Sequence, residues 1–418
     1  MFFEGVKMFR RLLSFDEAKQ LIGETLYAKP VGVEQISISK VDERVLAQDI
    51  VAPMDVPSFT RSTVDGFAVK AFDTFEASEE DPKVLKFCGD VAIGEPPKVV
   101  VENGLTAEIV TGAPLPEGAD SVVMVEYTNR KDDRVFVHRP VSIGENLMAA
   151  GSDIHKNEMI LKKGCLLGSR EIGVLAAIGL TKVTVFKRPK VAVLSTGNEV
   201  VAPGDPLVLG KIYDINAHTL SAAVLETGGE PINMGVIPDN KEKLTKALKI
   251  ALDVADMVIT SGGVSVGPKD FTPPVVDNLG NPGVIISGVA VKPGKPLTIA
   301  VVNEKPIFSL PGNPTSSLFM FILFVRPILV KIAGRYEEEI PKLKATTNQK
   351  MFPARGRRTF IMVNLGRDKT GKLIASPVPT GLSGAITTLV KADGFIEIPE
   401  NQQFIDAGTE IDVYLWKF

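Results

Sequence analysis

The sequence predicts a multidomain protein of mixed α/β plus β class: a central, mostly parallel α/β domain, a β-rich insert ahead of it and a small C-terminal β-barrel or sandwich. Three observations carry this prediction. A chain of 418 residues is longer than one ordinary hydrophobic core serves. Between 191 and 263, VAVLSTG, NAHTLSAAVLETGG, EPINMGVIPD, NKEKLTKALKIALDVA and DMVITSGG alternate strand, helix, strand, helix, strand, a βαβ series that calls for a parallel sheet. Residues 84–142 and 335–418 instead show short alternating β-type runs with little helical periodicity.

The elements follow in order. Ser14 and Glu17 form an S-x-x-E capping box ahead of Phe15, Ala18, Leu21 and Ile22 at helical spacing, which predicts a first helix over 15–27. The Pro-rich VAPMDVPSFT at 51–60 marks a boundary, and RSTVDGFAV reads as a strand after a turn. Within the β-rich stretch, GEPP, TGAPLPEG and RKDD supply turns, and GENLMAAGSDI closes it. Ser169 is expected to cap a short helix running to about Ile178, TKVTVFKRP follows as a strand, and Arg188-Pro189 marks the next hinge. LFMFILFV at 318–325 spans eight residues before Arg326 and Pro327, far short of the ~20 a membrane span needs, so it reads as a buried core helix. TFIMVNL, KLIASPV, GFIEIP and EIDVYLWKF supply the C-terminal strands; no internal repeat or low-complexity segment occurs.

Composition narrows the chemistry. With 47 basic and 50 acidic residues the formal charge is -3, which argues against nucleic-acid binding by phosphate neutralisation and makes any anion site a local one. Cys88, Cys165, His138, His155 and His218 are scattered without ligand spacing, against zinc, thiol-redox and Ser-His chemistry; a hard metal held by carboxylates is compatible. The N-terminus carries Glu4 and Lys7 inside its apolar part and no small-residue cleavage site, so it does not read as a signal peptide; with no membrane span, the chain is expected in the cytoplasm.

Three Gly/Pro-rich segments follow β-branched apolar runs and are expected where strands end, the edge at which open α/β sheets bind ligands. In SGGVSVGPKD (261–270), Gly262, Gly263 and Gly267 let backbone N–H groups approach a ligand, and Asp270 ends the turn with a carboxylate. In VKPGKP, Lys292 and Lys295 flank Pro293 and Gly294, two ammonium groups on a stiff turn suited to an oxyanion. In PGNPTSS, Pro311 and Pro314 rigidify a turn, and Thr315 or Ser316 is expected to cap the following helix. Each segment alone reads more readily as a tight structural turn than as a binding loop; the three together in one domain point to a site. Neither a P-loop nor a G-x-G-x-x-G fingerprint is present. Glu199, Asp239 and Asp270 also fall at strand ends, and three carboxylates beside a phosphate site imply a bridging Mg²⁺.

These residues carry a family resemblance. TVDGFAV (63–69), TGAPLPEGAD (111–120), GSDI (151–154), STGNE (195–199), SGGVSVGPKD (261–270), KPGKP (292–296) and LPGNP (310–314), seven motifs in order across nearly the whole chain, resemble the molybdopterin molybdenumtransferases, the MoeA family that includes the gephyrin E domain. The resemblance implies an enzyme that takes adenylylated molybdopterin and molybdate, hydrolyses the adenylate with Mg²⁺, leaves the metal on the dithiolene and releases AMP. It implies a split linker domain (1–55 and 150–188), a β-rich insert (56–149), an α/β molybdopterin-binding domain resembling the molybdopterin adenylyltransferases (189–334) and a C-terminal β-barrel (335–418). It also implies a homodimer whose cleft joins the α/β domain of one subunit to the insert of the other, with a molybdopterin adenylyltransferase and acceptor molybdo- or tungstoenzymes as partners.

By motif, Glu199, Asp239 and Asp270 would bind Mg²⁺ and position the pyrophosphate, and Asp65, Thr111 and Asp153 would complete the catalytic cleft. Gly262, Gly263 and Ser265 would bind cofactor, and Lys292, Lys295, Pro311, Pro314, Ser383 and Arg357 would hold molybdate. GRRTFIMVNL at 356–365 departs from the family in one place: Met362 stands where many members carry a second arginine. Two other readings stay open, a non-catalytic pterin-binding scaffold and a molybdopterin adenylyltransferase, and the two lysines would accept molybdate or tungstate alike.

Overall fold

In the computed structural model, which describes residues 12–264, 272–336, 340–379 and 386–416, the chain begins with helix α1 (Phe15–Thr25). Its capping box is closed: Glu17 N–H donates to Ser14 Oγ at 3.2 Å and Ser14 N–H to Glu17 Oε2 at 2.7 Å. The chain then forms half of a small unit that it completes much later. Val33–Ser37 pairs antiparallel with Lys182–Phe186, Arg44–Val45 with Leu166–Leu167, and Ile50–Val51 with Met159–Leu161. Between these halves lies a six-stranded sheet in the order Ser121–Met124, Gly66–Val69, Leu105–Ile109, Lys83–Val91, Arg134–Val137, Thr128–Lys131. The helix after Leu167 runs Ser169–Ala177, and its cap is Gly168, not Ser169; the Gly168 N–H donates to Glu171 at 3.0 Å, a carboxylate stem reaching back from the first turn.

The α/β domain contains β1 (Lys190–Thr196), α2 (Asn216–Glu226), β2 (Glu230–Ile237), α3 (Lys241–Val254), β3 (Met257–Ser261), β4 (Pro282–Ser287), β5 (Thr298–Val302), β6 (Lys305–Leu310) and the long helix α4 (Pro314–Ile332). The sheet order is β2-β1-β3-β6-β5-β4. The first four strands are parallel; β5 is antiparallel to both β6 and β4. Chain order reverses between β1 and β3, so the crevice of the fold opens at Gly197 and Gly262. Helix α4 contains the run expected as a core helix: Phe321, Ile322, Leu323, Phe324 and Val325 are all buried, over a turn of π geometry. By length and composition α4 could cross a membrane, yet 72% of its most apolar window is buried inside the protein.

The C-terminal strands β7 (Lys342–Thr347), β8 (Arg358–Arg367), β9 (Leu373–Pro377), β10 (Gly394–Ile398) and β11 (Glu410–Leu415) pair in the order β8-β9-β7-β11-β10, and β10 pairs back onto β8. This closes a five-stranded barrel and leaves no free edge, which decides between barrel and sandwich. One core joins barrel, core helix and α1. The Phe15 ring meets Phe324 at 5.4 Å and Phe360 at 5.6 Å between centroids, and Phe319 meets Phe395 at 5.3 Å. Each such buried ring contributes roughly 1.5–3 kcal/mol, and together they fix the barrel against α4 and α1.

Candidate functional site

At the crevice between β1 and β3 a cavity of about 830 Å³ is lined by strand-end residues. Its floor needs glycine: a Cβ on Gly262 (φ +99) would lie 2.4 Å from the Thr196 carbonyl oxygen, and one on Gly263 (φ +66) 2.5 Å from Thr272 Oγ1. At Gly262 backbone therefore approaches backbone, and at Gly263 a threonine hydroxyl, more closely than a Cβ permits. Glu199, Asp214 and Asp239 line this cavity, and no Lys or Arg does among the described residues. The loops carrying Glu199 and Asp239 are tied together, since Asn198 N–H donates to Asp239 Oδ2 at 3.2 Å and Asp239 N–H to Asn198 Oδ1 at 3.1 Å. Lys211 Nζ reaches the Asn198 carbonyl from below.

Asp214 and Asn216 escaped the sequence reading. Asp214 is buried, and its Oδ1 accepts from Ser195 Oγ at 2.8 Å and from Ala217 N–H at 3.0 Å, so it ties β1 to the start of α2. The Asn216 amide donates to Ser261 Oγ at 2.7 Å and to the Gly312 carbonyl at 2.8 Å, joining α2 to β3 and to the turn after β6. An acid just ahead of the NAHTLSAAV helix was the available signal, because Asp in that place satisfies first-turn N–H groups.

A second cavity, of about 470 Å³, lies between the α/β domain and the barrel. Lys292 and Lys350 line it, with Thr315, Thr359 and Thr388, and no carboxylate does among the described residues. Lys292 is placed by pairing: Val291 and Lys292 add to the edge of barrel strand β8 opposite Arg358 and Thr359. The two cavities share Asn313 and Ser316 in their walls. These residues belong to the start of α4, where the cap is Asn313, whose Oδ1 accepts from Ser316 N–H at 3.4 Å. The expected caps Thr315 and Ser316 lie two and three residues past the cap, within the first turn, because Pro314 takes the first helical position and leaves the cap to the residue before it.

The remaining predicted residues fall into three groups. Pro311 and Pro314 line the acidic cavity. Lys295, half-buried, lines neither cavity, and the same holds for Arg357. Neighbouring Arg358 is committed to structure: burial opposes its charge, but Asp16, Glu400 and Glu397 outweigh that and raise its pKa. Asp65 and Thr111 meet each other in the insert, where Asp65 Oδ1 accepts from the Thr111 N–H at 2.7 Å and the Thr111 hydroxyl at 2.9 Å. Both bonds hold the Asp65 carboxyl below the ordinary range, the backbone one more strongly. Asp65, Thr111 and the exposed Asp153 line neither cavity of their own chain. Ser265, Asp270 and Ser383 lie outside the described residues.

The donor set of the acidic cavity suits a hard divalent cation: Glu199 and Asp239 offer carboxylate oxygens, and among the described residues no Lys or Arg lines the cavity with them. Among the described residues no group of three or more His, Cys, Asp or Glu stands close enough to hold a metal ion, and the third expected ligand, Asp270, is not among them.

Comparison with known proteins agrees across the chain. Residues 13–179 match the MoeA N-terminal region (domain I and II), 192–331 a probable molybdopterin binding domain, and 344–416 the MoeA C-terminal region (domain IV). The molybdopterin molybdenumtransferase of Bacillus subtilis is 34% identical over 93% of this chain and 91% of its own. That of Haemophilus influenzae is 31% identical over 96% and 98%. A solved molybdopterin biosynthesis MoeA protein of Pyrococcus horikoshii OT3 superposes with a TM-score of 0.83 at 31% identity, covering 97% of this chain and 100% of its own. With fold, motif order and full-length similarity in agreement, the chain belongs to the MoeA family of molybdopterin molybdenumtransferases.

Proposed function

We propose that this chain inserts molybdate, or tungstate, into adenylylated molybdopterin and releases AMP, the last step of molybdenum cofactor biosynthesis. As a member of its family it is a transferase of that pathway. The observation that carries the finer reading is the pair of adjoining cavities with opposite charge, carboxylates in one and lysines in the other, sharing the wall at Asn313 and Ser316. A substrate with a pyrophosphate in its middle and a dithiolene on one side needs both environments at once.

In this reading Glu199 and Asp239, with Asp270, would hold Mg²⁺, which when bound would supply charge neutralisation at the pyrophosphate. The Asn198–Asp239 clasp keeps the two carboxylates in place beforehand. Gly262 and Gly263 admit the phosphates to the backbone. Lys292 supplies positive charge to the tetrahedral oxyanion in the neighbouring cavity, and the N-terminal turn of α4 faces both ligands. A water oxygen bonds to the adenylate phosphorus, the P–O–P bridge breaks, AMP departs and the other phosphate stays on molybdopterin; the two dithiolene thiols then bond to the metal, and one oxo group leaves with their two protons as water.

Asp65 and Thr111 stand apart from both cavities of their own chain, which supports a homodimer in which a second copy brings its insert to the cleft. The test is AMP release from adenylylated molybdopterin with Mg²⁺, with molybdate, with tungstate and with neither. Oxyanion-dependent release is expected; tight binding without release under any condition would leave only a scaffold.

A further inference from the structure

A ledge of two aromatic rings stands at the barrel rim beside the lysine-lined cavity. Met351 and Ile405 form an isolated antiparallel bridge, with N–H to carbonyl bonds of 2.9 Å in both directions, and both side chains are buried. Side chains alternate along extended chain, so Lys350, Phe352, Phe404 and Asp406 share the opposite, outer face. There Lys350 Nζ sits 3.5 Å from the Phe404 ring centroid and 5.8 Å from that of Phe352, held by Asp406 at 3.1 Å. The two rings meet edge to face at 6.4 Å. Phe352 is thus backed by a second ring and a cation, yet it is 66% exposed and lines the cavity.

A single exposed phenylalanine needs no explanation. One backed by a second ring and an ion-paired lysine and opening on a cavity of about 470 Å³ with a second lysine has the chemistry of a stacking platform for a planar heterocycle that carries negative charge. We propose that Phe352 stacks against the pterin ring of the substrate, which places the pterin end in the barrel-side cavity and the adenosine end in the strand-end cavity. This rests on the reading above: with the oxyanion at Lys292 the dithiolene must be there too, and the pterin is fused to the ring that bears it.

The experiment measures binding of pterin and of AMP, each by competition with adenylylated molybdopterin, to the wild-type chain, Phe352→Ala and Phe352→Trp. Phe352→Ala is expected to weaken pterin about tenfold, roughly 1.4 kcal/mol, and to leave AMP within about twofold. Phe352→Trp restores pterin affinity, and its indole emission is quenched by pterin but not by AMP. Unchanged pterin affinity in Phe352→Ala, no competition by millimolar pterin with the wild type, or loss of AMP instead of pterin overturns the assignment while sparing the proposed function. A wild-type chain that fails to bind adenylylated molybdopterin overturns both.

Discussion

Asn198 and Asp239 hold each other across the ends of adjacent parallel strands, each donating its backbone N–H to the other's side chain, at 3.2 and 3.1 Å. The exchange fixes the Asp239 carboxylate in a loop that β2 alone would leave free to swing. Asn198→Ala removes one of the two bonds and should cost about 1 kcal/mol of stability, while raising the Mg²⁺ concentration needed for half-maximal AMP release. Urea denaturation and a Mg²⁺ titration of AMP release read the two effects; a variant with wild-type Mg²⁺ dependence would show that the clasp does not position Asp239.

Gly262 and Gly210 both have positive φ, +99 and +87, but only Gly262 is crowded, with the Thr196 carbonyl 2.4 Å from its missing Cβ; nothing lies within 4 Å at Gly210. Gly210→Ala should therefore cost about 1 kcal/mol of backbone strain alone. Gly262→Ala should cost about 3 kcal/mol and abolish AMP release as the loop is pushed out of place. Equal denaturation midpoints for the two variants would contradict the close-approach argument.

Arg358 ties the barrel to the first helix through two bonds to Asp16, at 2.9 and 2.7 Å, and one to Glu400 at 2.9 Å. Asp16 is largely exposed and Arg358 is not, with side-chain exposures of 69% and 14%. The losses should be unequal: about 2 kcal/mol for Arg358→Ala, which strands Glu397 and Glu400, and under about 1 kcal/mol for Asp16→Ala, which solvent compensates. Limited proteolysis should nick the barrel of Arg358→Ala sooner. Equal destabilisation by the two changes would mean that the Asp16 arm alone matters.

The Asp65–Thr111 pair gives a pH signature. Thr111 lowers the Asp65 pKa, so the stability this carboxylate adds is present above the ordinary value of about 3.9 and is lost as pH falls below it through the lowered one. At neutral pH the pair is fully formed. Thr111→Val keeps the backbone N–H, the larger cause, and removes the hydroxyl, so the Asp65 titration followed by carboxyl NMR should rise part of the way to the ordinary value. A titration identical to wild type would assign the whole shift to the backbone.

Local signals in the sequence carried far and then stopped at tertiary ones. The Ser14–Glu17 box lies within four residues, and the helix it announces is present, ending at Thr25, slightly short of the expected 27. The βαβ alternation likewise delivers β1 to β3, and Glu199 and Asp239 stand at the strand ends where such a sheet places ligands. Caps were misplaced by one to three residues at Gly168 and Asn313, because several capping residue types compete within one turn and Pro314 decides only its own position. Arg358 with Asp16, Lys292 with strand β8, and Phe352 with Phe404 are pairings between distant segments. No spacing rule reaches them, since they form only when the barrel docks on α1 and the α/β domain and when the Met351–Ile405 bridge closes. Asp214 failed for a different reason: an acid before a helix reads equally as a cap and as a cavity wall, and here it serves as both.

The central claim is a division of labour between two adjoining cavities, and the most direct measurement compares Lys292→Ala with Asp239→Asn in single-turnover AMP release, titrating molybdate and Mg²⁺ separately. Lys292→Ala should raise the molybdate half-saturation about tenfold or more and leave that of Mg²⁺ unchanged, while Asp239→Asn should do the reverse, each loss being on the scale of one charge-assisted contact. If both variants shift both titrations alike, the two cavities do not divide the oxyanion and the metal between them.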